Sequence, residues 1–223
     1  LHMYDVYAPL VSNISRDYSY EEAKDLVIKA LEPLGDAYIN DLKQLFDSNC
    51  IDVYNNNNKR NGAYSWGSYD TLPYVLLNFE GNFNDVSTIA HELGHSMHSL
   101  YSHERQEYHD SGYPIFLAEI ASTVNEILLN RYCSDNAKTK EEKAYYLNNL
   151  LENFRTTLIR QTMFAEFELQ IHDLEEQGEV LTEELLCSTY LKLNKQYFSE
   201  EVISDDLIKL EWARIPHFYT SFY

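Results

Sequence analysis

The sequence predicts a mainly α fold with a small β-sheet, and three observations carry that reading. From Asn84 almost to the end, apolar residues recur at helical spacing with few interruptions. Glycine is scarce, 7 in 223 residues, as expected where most of the chain is helical. The clear non-helical stretch lies between residues 55 and 81, where turn residues and a β-type run alternate.

Taken in order, Ser19 and Glu22 form a capping-box pattern ahead of a helix that runs to about Leu31. Pro33, Leu34 and Gly35 punctuate it, and a second helix is expected from Asp36 to Phe46. Asn55 to Arg60 reads as a polar turn, followed by the segment Gly62 to Tyr69. Leu72 to Phe79 then reads as a strand that Gly81 ends. Two short strands here give a small sheet beside a helical body. Helices follow at about 85–102, 115–132, 140–176 and 182–198, broken by Pro114, the turn Cys133–Lys138, and Gly178. No Pro/Gly/Ser linker divides the chain.

Composition narrows the class of function. At 44% hydrophobic and 24% charged residues the chain is globular rather than disordered, and long enough for a substantial core. The formal net charge of −19 argues against nucleic acid as a partner, because phosphate binding needs clustered Lys and Arg. The 19 tyrosines suit wet clefts as well as cores, since each can bury a ring and present a hydroxyl. Cys50, Cys133 and Cys187 are odd in number and lack C-x-x-C spacing, which points to reduced thiols and a cytoplasmic protein. No apolar run approaches the roughly 20 residues of a membrane span, and no signal peptide opens the chain. The chain starts at Leu1 and stops inside the aromatic run Phe218 to Tyr223, so it reads as a piece of a longer polypeptide.

Chemistry enters at His91-Glu92-Leu93-Gly94-His95, an H-E-x-x-H match on the helix that begins near Asp85. At about 100° per residue, Val86, Ala90, Leu93, Met97 and Leu100 fall in a narrow arc with Ile89 beside it, forming the buried stripe. His91 and His95 lie opposite that stripe, one turn apart, so both imidazoles can reach one metal ion. Glu92 projects in a neighbouring direction, where it can act as a base without being a ligand.

A catalytic zinc takes three protein ligands and keeps one position open, so a third ligand is required. The extended H-E-x-x-H-x-x-G-x-x-H pattern fails, because His98 and Tyr101 occupy its Gly and His places. His103 and His109 sit in a polar loop, where surface histidines are common. Glu119 lies in the apolar stretch Ile115 to Ala121, where an unpaired carboxylate is costly, and this favours it as the ligand. Glu126 shares its helix face with Glu119, Ser122 and Thr123. It reads either as the acceptor for the outward N–H of a ligand histidine or as an exposed helix charge.

Several segments in order resemble one family. These are Gly62-Ala63-Tyr64-Ser65, the strand ending in Asn78-Phe79, Thr88 to Ser99, Phe116 to Thr123, Arg160 to Glu168, and Pro216 to Tyr223. Together they resemble the oligoendopeptidase F branch of the thimet-oligopeptidase-like M3 zinc peptidases. The resemblance implies a helical zincin-like catalytic lobe, with residues 1–223 a partial catalytic domain that lacks the N- and C-terminal parts of the full-length protein. It implies one Zn2+ per chain on His91, His95 and Glu119, with Glu92 as the base that assists attack of a zinc-bound water on short peptides. It carries transition-state stabilisation to the late residues His217, Tyr219 and Tyr223. It also sets Gly62 to Trp66 along the substrate channel. Two competing readings are a non-catalytic helical interaction module and another zinc hydrolase such as an amidase or deformylase. Oligomeric state is not written in any motif.

Overall fold

Reciprocal side-chain hydrogen bonds fix the starts of two of the α-helices. Ser19 accepts from the Glu22 backbone N–H at 3.2 Å, and Glu22 accepts in return from the Ser19 N–H at 2.9 Å, opening α1 (Tyr20–Leu31). Asn82 and Asp85 make the same reciprocal pair at the start of α3 (Phe83–Arg105). The Asp85 carboxylate also accepts the N–H groups of Glu80 and Gly81, so the helix begins two residues before the expected position 85. Gly81 itself adopts φ 97°, and a Cβ there would lie 2.8 Å from the Tyr18 carbonyl oxygen.

The computed structural model describes residues 1–8, 10, 11 and 16–220, Phe116 by its backbone alone. Between α1 and α3 come α2 (Asp36–Asp47) and the short strands β1 (Ile51–Asp52), β2 (Tyr64–Trp66) and β3 (Tyr74–Leu76). After α3 follow α4 (Ile115–Asp135), α5 (Lys140–Asn153), α6 (Arg160–Glu176) and α7 (Glu183–Tyr197). The sheet order is β1-β3-β2, with β1 parallel and β2 antiparallel to β3. The mainly α reading with a small sheet therefore holds, with one strand more than expected. β1 is two residues long, too short to show alternation.

The helix expected over 140–176 is continuous but changes pitch, with a π-helical segment at Phe154–Ile159 between α5 and α6. The nine-residue 3-10 helix Asp206–Arg214 and the 3-10 turn Pro216–Tyr219 were not anticipated.

The chain divides into two units, Val11–Leu147 and Leu1–Leu10 with Asn148–Tyr223. The division falls inside α5, so no linker marks it. The first unit has a core built from Val27 and Leu31 of α1, Leu42 and Leu45 of α2, Val75 of β3, the α3 stripe Val86, Ile89, Ala90, Leu93 and Met97, and Leu129 of α4. Leu100, expected in that stripe, is partly buried against the same core. The second unit packs Met163, Phe164 and Phe167 of α6 against Tyr190 and Leu193 of α7 and Ile215. There Glu211 accepts from Tyr190 Oη at 2.7 Å and from Arg160 at 2.8 Å. Burial opposes its charge, but these bonds prevail and hold its carboxyl below the usual carboxylate range.

Candidate metal centre

The centre is made where α3 crosses α4. Gly94 of α3 lets the two main chains touch: a Cβ there would lie 2.6 Å from Ser122 Cα and 2.8 Å from the Ala121 carbonyl oxygen. Asn125, fully buried on α4, ties the crossing by donating to the Ala90 carbonyl at 3.0 Å and pairing with the Tyr38 hydroxyl at 3.1 Å. Ala90 is the residue before His91, so this bond fixes the turn that carries the first imidazole.

At the crossing, three donor atoms form a nearly equilateral triangle. His91 Nε2 and His95 Nε2 are 3.2 Å apart, and Glu119 Oε2 lies 3.4 Å from the first and 3.5 Å from the second. Donors set about 2.0–2.1 Å from a tetrahedral zinc are separated by roughly 3.3–3.4 Å, the edge of that tetrahedron. Two imidazole nitrogens and a carboxylate oxygen at this spacing fit such an ion. Among the described residues this is the group of His, Cys, Asp and Glu side chains assembled closely enough to hold a metal.

The outward nitrogen of His91 is held as well. His91 Nδ1 lies 3.3 Å from Glu126 Oε2, and Ser87 Oγ donates to the other Glu126 oxygen at 3.2 Å. With 15% of its side chain exposed, Glu126 is the partner of His91 rather than a solvated helix charge. At His95 the neighbouring Ala118 backbone favours the charged form. Burial works against the charged form of both histidines. At His91 the Glu126 hydrogen bond and charge outweigh it and raise the pKa, whereas at His95 burial prevails over Glu119 and the pKa falls.

Glu119 departs from expectation in one respect. Its apolar neighbours were expected to bury it, yet 45% of its side chain is exposed, because Leu117 and Ile120 face outward. The side of α4 that turns inward carries Ser122 and Asn125 instead. Ser122 Oγ donates to Glu119 Oε2 at 2.8 Å, the same oxygen that faces both histidines.

Glu92 is the carboxylate that is buried, with 7% exposure. Burial pushes its carboxyl up; His91 lowers it, Glu119 and Glu126 raise it, and the Ser65 backbone N–H lowers it. Ser65 sits on β2 and also bonds through its hydroxyl to Ser96 at 2.8 Å, while Ser96 donates to the Glu92 carbonyl at 2.9 Å. β2 and the turn of α3 that carries Glu92 are thereby fastened together.

The other histidines lie apart from the triangle. His98 stacks on Tyr113 with ring centroids 3.9 Å apart, His103 lies against Tyr69, and His109 is exposed beside Asp110. His217 and Tyr219 belong to the other unit, in the turn Pro216–Tyr219, where Tyr219 Oη donates to the Ala213 carbonyl at 2.9 Å. Tyr223 lies outside the described residues. The sequence reading did not single out Gly94, Asn125, Ser87 or Ser65. Gly94, a glycine inside a helix, was the legible signal among them.

The comparisons agree with this architecture. The model of "Peptidase family M3" matches residues 1–223. Oligopeptidase PepF of Bacillus subtilis is 49% identical over 223 residues, covering 100% of this chain and 33% of that protein. A crystal structure from Chlamydophila abortus is 51% identical and superposes with a TM-score of 0.85, covering 100% of this chain and 37% of that one. That of oligoendopeptidase-F from Enterococcus faecium is 34% identical with a TM-score of 0.66, covering 100% and 32%. The chain spans about a third of the length of the curated relatives it matches. The family match runs through both histidines, Glu92 and Glu119, and the chain belongs to peptidase family M3.

Proposed function

We propose that this chain carries the zinc centre of an oligoendopeptidase that hydrolyses short peptides in the cytoplasm. The observation that carries the reading is the triangle of His91, His95 and Glu119 donors beside the buried carboxylate of Glu92. A zinc ion on that triangle supplies Lewis-acid activation of water and of the scissile carbonyl. Glu92, raised above the ordinary carboxylate range by burial, takes the proton from the attacking water and can return it to the leaving amine. Glu126, beside His91 Nδ1, keeps that imidazole in one tautomer and one orientation.

β2 ends the sheet, so one of its edges is open to pair with an extended peptide. The chain of hydroxyl bonds from Ser65 through Ser96 to the Glu92 carbonyl fastens that strand to the helix turn that carries Glu92. His217, Tyr219 and Tyr223 are proposed as the donors that stabilise the oxyanion, on the strength of the family resemblance. The free thiols Cys50, Cys133 and Cys187 suit a reducing compartment, and among the described residues no helix is long and apolar enough to cross a membrane.

The test is metal content and peptide cleavage by the full-length protein and two variants. Wild type should hold about one zinc per chain, His95→Ala should lose it, and Glu92→Gln should keep it while losing cleavage. Cleavage that survives in Glu92→Gln would remove Glu92 from its role. Zinc that survives in His95→Ala would remove the triangle.

A further inference from the structure

Two corners of the ligand triangle are on α3, but the third must be delivered from another helix by a flexible side chain. Glu119 has three side-chain torsions and its side chain is 45% exposed, so packing alone does not choose its rotamer. Its carboxylate offers two oxygens, and it is Oε2 that lies 3.4 Å and 3.5 Å from the two histidine nitrogens.

Ser122 is placed to make that choice. It is completely buried, and its Oγ lies 2.8 Å from Glu119 Oε2. Its hydroxyl also lies 3.1 Å from the Glu119 backbone carbonyl. A hydroxyl has one proton to give, and the ionised carboxylate is the stronger acceptor. The anchor is stiff as well. Ser122 Cα would be 2.6 Å from a Cβ on Gly94, so its main chain is wedged against α3 and is fixed relative to the helix that bears the histidines.

We propose that Ser122 is a positioning residue for Glu119, holding Oε2 toward the histidine pair through its hydroxyl. This rests on the metal-centre reading above. Thr123 provides an internal control, because its hydroxyl bonds to the Glu119 backbone carbonyl instead of the carboxylate.

The test compares wild type, Ser122→Ala and Thr123→Ala in the full-length protein. Zinc affinity is read by competition with a chromophoric chelator, the ligand field by the absorption spectrum of the cobalt-substituted protein, and packing by metal-free thermal unfolding. Ser122→Ala should raise the zinc Kd about 10–100-fold, the usual effect of removing a partner of a metal ligand. It should also shift the cobalt spectrum and leave metal-free unfolding unchanged, while Thr123→Ala matches wild type in all three. Wild-type affinity in Ser122→Ala would overturn the proposal. So would an equal loss in Thr123→Ala, or a Ser122→Ala protein that is unstable or unfolded without metal, since either assigns the effect to helix packing. A wild type that binds no zinc would sink the metal-centre reading itself. Zinc binding that His95→Ala abolishes and Ser122→Ala leaves intact would sink only the role of Ser122.

Discussion

Helices α3 and α4 supply one cluster, yet they divide apolar and polar residues in opposite ways. α3 buries Val86, Ile89, Ala90, Leu93 and Met97 and turns His91 and His95 away from that stripe. α4 turns Ser122, Asn125 and Asn130 inward and leaves Leu117, Ile120, Val124 and Ile127 between 39% and 53% exposed. The inward polar residues each have work that an apolar side chain cannot do. Ser122 bonds the Glu119 carboxylate, Asn125 bonds the Ala90 carbonyl, and Asn130 bonds the Glu126 carbonyl. α3 is organised mainly by its apolar stripe, whereas α4 buries Leu129 and Cys133 together with polar residues, of which Asn125 bonds across the crossing while Ser122 and Asn130 bond within their own helix.

Substitutions can break that contrast at graded cost. Leu93→Ala, in the fully buried stripe of α3, should destabilise by about 2–5 kcal/mol in denaturant unfolding, the range for large-to-small core changes. A value near zero would remove the stripe from the core. Gly94→Ala should cost about 1–3 kcal/mol as an overpacked contact, and should weaken zinc binding as the helices part. Ordinary alanine behaviour, with a gain in stability from helix propensity, would mean the main chains do not touch.

Glu126→Ala should lower zinc affinity about 10–100-fold in a chelator competition, because His91 Nδ1 loses its acceptor. Unchanged affinity would return Glu126 to the status of a helix charge. The smallest effect belongs to Ile120→Ala on the outer face of α4, expected to stay within about 0.5 kcal/mol of wild type. Set beside Leu93→Ala, it measures how differently the two helices use their apolar residues.

The same contrast explains what could be read in advance. α3 follows the 3.6-residue rule, so its stripe and its histidine pair were legible from spacing. α4 breaks the rule, and the inference from apolar neighbours reached Glu119 while misjudging its exposure. β1, two residues long, and the π-helical segment at Phe154–Ile159 left no periodic mark. Gly94 and Asn125 act through a crossing between helices about 30 residues apart in sequence, which no local pattern encodes. The capping box at Ser19 was local and was read correctly.

The backbone contact at Gly94 bears on transplanting this centre. A designer who copied His91, His95 and Glu119 onto another helical pair would copy the donors without the spacer that sets their distance. Helices separated by ordinary side chains pack 8–10 Å apart. Here a glycine faces a serine main chain, and a Cβ in its place would lie 2.6 Å from Ser122 Cα. The portable unit is therefore the crossing itself, with Gly94, Ser122 and Asn125 included, and the three ligands are its last addition.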